Sequence, residues 1–179
     1  RYIVETAAKE NENVIIFVVE EDKSVFSFKT RFKLIKEGTK DLKNVVVIPA
    51  GEYIISSATF PNYFLKKNDD ALKEYTKIDC NIFGKYFVPT FNIVKRYVGT
   101  EPHCEVTNIY NETIQEVLPK YNVEVKLINR KEIESDAISA SRVRNLLKEG
   151  NFDGVKNLVP KTTLDFLLSE EGEKVISKL

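Results

Sequence analysis

Apolar residues along the chain occur either in short strand-like runs, of which Val14 to Val19 is unbroken, or at helical spacing. Four runs are typical of buried strands, and they cover Val14 to Val19, Val45 to Ile48, Val94 to Val98 and Val123 to Ile128. Between the runs, apolar residues recur at intervals of three and four, which indicates amphipathic helices. Because strands alternate with helices, the sequence predicts an α/β fold with a mostly parallel sheet and helices on both faces.

The helical segments have recognisable start and stop signals. The pattern predicts helices over residues 1–11, from Ser27 to about Gly38, around 69–76, around 79–88, from Thr107 to about Lys120, and from Ser139 onward. Serine at the start of such a segment is a preferred N-cap residue. From Phe152 onward we expect short surface helices, so residues 150–179 form a C-terminal helical tail of a single domain spanning 1–179.

Polar segments follow two of the predicted strands. The loop Gly99-Thr100-Glu101 follows the third strand, and a hydroxyl-rich turn at Ser139 follows the fourth. In open parallel sheets, ligands bind beyond the carboxyl ends of the strands. We therefore expect the loop and the turn to converge on one ligand.

The turn at Ser139 opens a helix whose first residues suit a polyphosphate. The segment Ile138 to Arg144 reads ISASRVR. A serine N-cap leaves first-turn N–H groups pointing outward, where the helix dipole favours negative charge. Ser141 and Arg144 are three residues apart and share a face, and a guanidinium can bind two phosphate oxygens at once. The residues predict half of a nucleoside triphosphate site, formed by Ser139, Ser141 and Arg144.

Composition and charge narrow the choice of partners. The 27 Lys and Arg residues equal the 27 Asp and Glu residues, so no cationic excess points to nucleic acid. No apolar run approaches the roughly 20 residues that span a bilayer, and no secretory leader is visible. We therefore expect a cytoplasmic protein without a membrane partner. Cys80 and Cys104 lack metal-ligand spacing, so we expect reduced thiols and no protein-bound metal.

Several strings of the chain resemble the citrate lyase ligase family, whose members belong to the nucleotidyltransferase superfamily with HxGH and ISSTxxR motifs. ISASRVR resembles the second motif. The other strings are RYIVE at the start of the chain, Glu20-Glu21-Asp22 with Ser27-Phe28, YIISSATFPNYFLK from Tyr53 to Lys66, and VGTEPHC from Val98 to Cys104. The resemblance extends over nearly the whole chain and implies a Rossmann-like nucleotidyltransferase domain.

The resemblance also implies a reaction, that of an AMP-forming acid–thiol ligase. ATP and acetate would give acetyl-adenylate and pyrophosphate. The acetyl group would then pass to the thiol of the phosphoribosyl-dephospho-CoA group on the acyl carrier subunit of citrate lyase. ATP is the implied cofactor, with Mg²⁺ bound through its phosphates.

The family motif assigns roles to residues of this chain. Ser139, Ser141 and Arg144 would contact the triphosphate, with Ser141 and Arg144 in the catalytic role. The loop formed by Gly99, Thr100 and Glu101 would lie near the adenosine.

The sequence departs from the family pattern at two points. Ala140 removes one hydroxyl from the ISSTxxR pattern, and the HxGH motif is missing from a chain whose only histidine is His103. In the family, the helix that begins His-Arg-Tyr directly follows the HxGH motif and a strand, and an acetyltransferase-like domain precedes both. We therefore expect a fragment that lacks the first strand and the HxGH segment and is inactive by itself.

Several alternatives stay open from the sequence. One alternative is an adenylyltransferase acting on a pantetheine or nicotinamide nucleotide. Another is a non-catalytic nucleotide-binding module, if the HxGH motif is truly absent. Arg31 either binds phosphate or forms an ion pair with Glu20 or Glu21. Polar side chains between Tyr53 and Lys66 either face acetate or the carrier's arm, or belong to the core: Ser56, Ser57, Thr59, Asn62 and Lys66.

Overall fold

The computed structural model of the protein describes residues 1–22, 24–61, 71–101, 104–133 and 136–179, with the backbone alone at 132, 133 and 136. The helices are α1 (Tyr2–Glu10), α2 (Phe28–Thr39), α3 (Leu72–Ile82), α4 (Val88–Phe91), α5 (Glu105–Val117), α6 (Ala140–Lys148), α7 (Phe152–Lys156), α8 (Lys161–Leu167) and α9 (Glu170–Ile176). The strands are β1 (Val14–Val18), β2 (Val45–Pro49), β3 (Lys95–Gly99), β4 (Glu124–Ile128), β5 (Glu132–Ile133) and β6 (Asp136–Ala137).

The strands pair two by two. β1 pairs with β2, and β3 pairs in parallel with β4, from Lys95 opposite Glu124 to Gly99 opposite Ile128. β5 and β6 form an antiparallel pair. The predicted α/β class is confirmed, and so are the parallel strands, consistent with a Rossmann-like nucleotidyltransferase fold. Within the described residues, β1–β2 and β3–β4 are separate sheets instead of one continuous sheet.

The helix starts that depend on local hydrogen bonding agree with the sequence prediction. Ser27 caps α2, because its Oγ accepts the N–H of Thr30 at 3.2 Å. The predicted break between residues 76 and 79 is wrong. Helix α3 instead continues through a π-helical turn at Phe83–Phe87 into α4. Helix α5 begins at Glu105, two residues before the predicted Thr107.

The chain divides into two compact units. Unit 1 comprises Arg1–Ile16, Asp22–Val47 and Arg130–Leu179, and unit 2 comprises Phe17–Glu21 and Ile48–Asn129. The division falls inside both β1 and β2. The single domain predicted over residues 1–179 stays a prediction.

The core of unit 2 forms mainly between α3 and α5. The apolar spacing of α5 brings Val106, Tyr110, Ile114 and Val117 to one buried face. They pack with buried side chains that follow β2 or lie on α3 and on the turns after α3 and α5: Ala50, Ile54, Phe60, Leu72, Cys80, Phe83, Leu118 and Val123. This core supports the loops after β2 and β3.

The core of unit 1 forms among the C-terminal helices. Leu147 of α6, Val155 of α7, and Phe166 and Leu167 of α8 are buried together. Side chains of α2, including Leu34, pack against the same cluster. The short helices predicted after Phe152 are confirmed, and their charged residues are exposed, as in surface helices. Each short helix buries one apolar face, and together these faces make a core that no single helix provides.

Gly84 is a packing constraint that yields a stability prediction. A Cβ at this position would lie 2.3 Å from Cδ2 of the Tyr121 ring. We expect Gly84→Ala to lower the free energy of unfolding by about 1–3 kcal/mol, because the ring must move. Gly38→Ala is the matched control, since a Cβ there meets only Thr162 Oγ1 at 3.5 Å. Urea unfolding followed by circular dichroism measures both changes, and a Gly84→Ala protein as stable as the Gly38→Ala protein would contradict this packing.

Candidate functional site

The first turn of α6 is built as the sequence predicts. Ser139 has the extended backbone of an N-cap, and its Oγ accepts the N–H of Arg142 at 3.1 Å. Leu147 is buried, while Val143 and Leu146 pack against the core of unit 1. The apolar face of α6 therefore anchors the helix and leaves its polar first turn outside the core.

Two amides of this first turn are available to a ligand. Ala140 and Ser141 are exposed. Within the described part of the chain, no acceptor contacts their N–H groups, because Ser139 Oγ takes only the N–H of Arg142 and Ser139 O takes that of Val143. Together with the helix dipole, unpaired N–H groups favour an anion at this position.

Arg144 lies on the same face as Ser141, as predicted. Its Nη2 donates to Ser141 Oγ at 3.1 Å. Arg144 is half-buried, and among the described residues no carboxylate forms an ion pair with it. The guanidinium and the hydroxyl are thus adjacent, next to the open amides of Ala140 and Ser141.

Arg130 is a second cation of this region that the sequence reasoning missed. It follows β4 directly, and its Nη1 donates to Ile138 O at 3.4 Å. The N–H of Ile138 donates in turn to Lys131 O at 3.0 Å. A cation at the carboxyl end of a parallel strand is the sequence signal that points to this residue.

The Arg31 side chain contacts two residues of its own unit, Phe26 and Asp22. Its Nε donates to Phe26 O at 3.1 Å, and its Nη2 lies 3.6 Å from Asp22 Oδ1. Arg31 thus forms an ion pair with Asp22, the third carboxylate of the same acidic run, and the pair with Glu20 or Glu21 stays a prediction. A phosphate at Arg31 would compete with Asp22, and the phosphate role of Arg31 stays a prediction.

The loop after β3 continues the strand pairing of unit 2. The N–H of Thr100 donates to Ile128 O at 3.0 Å, and Gly99 O accepts from Asn111 Nδ2 at 2.9 Å. Glu101 Oε1 accepts the N–H of Cys104 at 3.3 Å. The adenosine-binding role of Gly99, Thr100 and Glu101 stays a prediction, as does their convergence with the Ser139 turn of unit 1. His103 lies outside the described residues.

The loop of residues 51–60, which we term the anchored loop, is held by carboxylates. Glu20 Oε1 accepts the N–H of Gly51 at 2.8 Å, and Glu21 Oε1 accepts that of Ser57 at 2.7 Å. Asp79 is fully buried, and its Oδ1 accepts the N–H of Ile55 and the hydroxyl of Thr59, each at 2.7 Å. Glu20 and Glu21 of the acidic run thus hold the backbone of this loop.

Two hydroxyls of the anchored loop, those of Ser56 and Thr59, form hydrogen bonds inside unit 2. Ser56 Oγ donates to Glu52 O at 2.6 Å and accepts the N–H of Thr59 at 3.2 Å. Ser56 and Thr59 are buried. Of the two predicted alternatives, the core role applies to these two residues, while Asn62 and Lys66 lie outside the described residues.

A buried polar chain extends from Asp79 to β3. Tyr110 donates its hydroxyl to Asp79 Oδ2 at 2.6 Å, and Arg96 Nη2 donates to the Tyr110 hydroxyl at 3.2 Å. The Arg96 guanidinium lies 4.3 Å from the centre of the Phe83 ring, a cation–π contact. Burial raises the pKa of Tyr110 well above its usual value. No pattern in the sequence indicates these hydrogen bonds, because Asp79, Arg96 and Tyr110 lie on three separate elements.

The two cysteines are thiols without a disulfide. Burial raises the pKa of Cys80 to about 12, so this thiol stays protonated at neutral pH. Cys104 is half-buried, and its Sγ accepts from Thr107 Oγ1 at 3.3 Å. In the described ranges, no group of three or more His, Cys, Asp or Glu side chains is placed to hold a metal ion. In the same ranges, no helix is long and apolar enough to cross a membrane.

The role of Ser139 as an N-cap gives a second stability prediction. We expect Ser139→Ala to cost about 1 kcal/mol in the free energy of unfolding, because the N–H of Arg142 loses its acceptor. Ser139→Asn, which supplies another side-chain acceptor, should restore most of this loss. Thermal unfolding of the two variants measures the difference, and equal stability of the alanine and asparagine proteins would contradict the cap.

Asp79 gives a third prediction. We expect Asp79→Ala to cost about 3 kcal/mol or more, because the N–H of Ile55 and two hydroxyls lose their acceptor in the core of unit 2. Asp165→Ala is the matched control, since Asp165 forms only an exposed ion pair with Lys161, and such pairs contribute little. Urea unfolding compares the two variants, and a loss as small as that of the control would show that Asp79 does not hold the loop.

Comparison with known proteins identifies the family. The family model described as the citrate lyase ligase C-terminal domain matches residues 1–167. A [citrate [pro-3S]-lyase] ligase of Klebsiella pneumoniae is 40% identical over 172 residues, which cover 94% of this chain and 50% of that protein.

Two further relatives have the same name. The ligase of Escherichia coli (strain K12) is 39% identical, over 93% of this chain and 49% of its own length. That of Haemophilus influenzae is 38% identical, over 93% of this chain and 51% of its own. The chain spans about half the length of these curated relatives. The α/β fold, the confirmed Ser139 cap and this similarity over nearly all of the chain agree, and the chain belongs to the citrate lyase ligase C-terminal domain family.

Proposed function

We propose that this chain is the part of an AMP-forming ligase that binds ATP and activates the acid. The ligase activates acetate with ATP as acetyl-adenylate and then acetylates the prosthetic-group thiol of the citrate lyase acyl carrier subunit. The observation that carries the proposal is the first turn of α6. There, Arg144 Nη2 lies 3.1 Å from Ser141 Oγ, beside two backbone amides that have no acceptor among the described residues. The chain belongs to the citrate lyase ligase C-terminal domain family.

The first step needs alignment and charge stabilisation more than a base. Acetate is ionised at neutral pH, so its carboxylate oxygen attacks the α-phosphorus of ATP directly. The bond from the α-phosphorus to the bridging oxygen breaks, and pyrophosphate leaves with the electron pair. The pocket must therefore hold the triphosphate in line and balance the charge that builds on its oxygens.

Residues of α6 meet this requirement. Arg144 would bind two phosphate oxygens with its guanidinium, and Ser141 would donate its hydroxyl to a third. The N–H groups of Ala140 and Ser141 would bind phosphate oxygens at the positive end of the helix. Ser139 keeps this turn in place through its bond to Arg142.

Magnesium would enter this site on the nucleotide. The described residues offer no cluster of three or more His, Cys, Asp or Glu side chains for a metal ion. Mg²⁺ is usually bound through substrate phosphates and one or two carboxylates, with water completing its octahedron. We infer that ATP carries the ion and that the protein's own contacts are to the phosphates.

The second step transfers the acetyl group. The acceptor thiolate attacks the carbonyl carbon of acetyl-adenylate, the bond to the adenylate oxygen breaks, and AMP leaves with the electron pair. The thiol proton passes to solvent. Neither Cys80 nor Cys104 replaces the acceptor in this proposal, because Cys80 is buried and protonated and Cys104 is bonded to Thr107.

A second candidate function is a nucleotide-binding module without catalysis. One specific observation favours it: His103 is the only histidine of the chain, so the 179 residues contain no HxGH pair. We propose that the active ligase supplies this pair from outside these residues. Acetate-dependent release of pyrophosphate by the protein that its complete gene encodes separates the two functions, since a binding module releases none.

Arg144 gives the direct test of the proposed site. In the protein encoded by the complete gene, we expect Arg144→Ala to lower kcat/KM for ATP about 30-fold, equivalent to about 2 kcal/mol for a charge-assisted phosphate contact. Arg144→Lys should recover only part of this, because lysine does not bind two oxygens at once.

The control lies on the same helix. Lys148→Ala removes an exposed cation of the last turn of α6 and should leave the kinetics for ATP unchanged. Pyrophosphate release at varied ATP concentration is the measurement. Unchanged kcat/KM in Arg144→Ala would remove this residue from the site.

A further inference from the structure

An open aromatic cleft lies in unit 2, and none of the residues that line it has a role in the proposed reaction. It encloses about 710 Å³, a volume within the range of roughly 300–1,000 Å³ that is typical of small-molecule sites. Its lining consists of Tyr53, Ile82, Tyr86, Phe87, Thr90 and Phe91. Tyr53 is 60% exposed, Tyr86 57% and Phe91 39%. Clustered aromatic side chains open to water mark binding surfaces.

One wall of the cleft is a rigid helical ridge. The π-helical turn Phe83–Phe87 joins α3 to α4 and sets the spacing of the ridge, and such turns occur frequently at functional sites. The rings of Phe83 and Phe87 stack at 5.8 Å, and those of Phe87 and Phe91 at 6.3 Å. Phe17 of β1 contacts all three rings edge-on, at 5.5 to 6.1 Å.

The other wall is Tyr53, and the anchored loop fixes it. Tyr53 lies between Gly51, whose N–H binds Glu20, and Ile55, whose N–H binds the buried Asp79. Ile55 has φ of 47°, in the left-handed region that a β-branched residue rarely adopts. A strained backbone of this kind persists only where its surroundings hold it, and it is common at ligand-binding sites. The cleft is therefore formed before a ligand arrives.

The chemistry of the lining selects a class of ligand. Among the residues that the structure describes, no charged side chain lines the cleft, and the polar groups of the lining are hydroxyls. Aromatic walls of this kind bind flat π-systems by stacking, largely regardless of ring substituents. Lys85 stands beside the cleft, with Nζ 5.4 Å from the centre of the Tyr86 ring. We propose that the cleft binds a planar, uncharged heteroaromatic ring such as a nucleobase, whose phosphate-bearing substituent meets Lys85.

If the proposed function holds, two ligands of the ligase contain such a ring. The choice of these two ligands as probes rests on that function, and the proposal about the cleft does not. The base belongs either to ATP or to a thiol-bearing acceptor built on a nucleotide. Dephospho-coenzyme A is the probe for the second source, and pantetheine, which has no ring, is the probe without a base.

The test is a calorimetric titration of the 179-residue chain with the three probes. We expect Tyr53→Ala and Tyr86→Ala each to weaken binding of ATP or of dephospho-coenzyme A about tenfold, as loss of one stacked base predicts. Tyr86→Phe keeps the ring face and should keep the affinity. Val94→Ala is the matched control, because Val94 is 64% exposed and lies outside the lining. The affinity for pantetheine should be the same in all of these variants.

A second readout uses the composition of the chain. It contains eight tyrosines and no tryptophan, so a stacked base should quench tyrosine emission in the parent protein and less in Tyr86→Ala. Weaker binding of ATP by the tyrosine-to-alanine variants identifies the base of ATP as the occupant. Weaker binding of dephospho-coenzyme A alone identifies the base of the acceptor.

Two results would overturn the proposal. One is equal affinity of both tyrosine variants and Val94→Ala for both nucleotides. The other is a parent chain that binds neither nucleotide at millimolar concentration. Failure of the proposed function appears in a different experiment, as missing acetate-dependent pyrophosphate release, and does not alter this titration.

Discussion

The proposed chemistry depends on the unfilled hydrogen-bonding capacity at the start of α6. Every α-helix begins with N–H groups that have no partner in the helix. Here Ser139 satisfies that of Arg142, while those of Ala140 and Ser141 have no acceptor among the described residues. Because the apolar face of α6 packs in the core of unit 1, the position of this turn is fixed. Arg144 adds a formal positive charge beside the two amides.

Unit 2 holds many of its buried polar groups through internal hydrogen bonds. The Asp79 carboxylate accepts three hydrogen bonds and holds both the anchored loop and Tyr110. Tyr110 in turn receives a bond from Arg96, whose Nη1 is buried without a hydrogen-bond partner among the described residues. The hydrogen-bonded network around Asp79 favours one conformation of its surroundings. It is this network that keeps Tyr53 opposite the aromatic ridge in the cleft, despite the strain at Ile55.

The sequence predicts those features that depend on neighbours in the chain. The caps at Ser27 and Ser139 and the pairing of Ser141 with Arg144 follow from spacings of three residues, and all are present. The strands follow from β-branched runs. The predictions that are wrong concern features that depend on contacts between residues distant in sequence. The sequence predicts a helix break between residues 76 and 79, whereas Asp79 lies inside the continuous helix α3 and its carboxylate is satisfied by a loop more than twenty residues away.

The core among the helices after Phe152 also depends on contacts distant in sequence. Each short helix looks amphipathic by itself, and the burial of its apolar face depends on helices elsewhere in unit 1. The ion pair of Arg31 with Asp22 likewise depends on the path of the loop before α2, which the spacing of residues does not specify. The adenosine role of Gly99, Thr100 and Glu101 rests on the family resemblance alone.

The most direct measurement of the central claim is an NMR titration of the isotopically labelled chain with ATP. The account predicts that the backbone amide resonances of Ala140 and Ser141 shift first and most. Pyrophosphate should reproduce these shifts, while adenosine should not. Shifts that leave the first turn of α6 unchanged while ATP binds elsewhere would contradict the account.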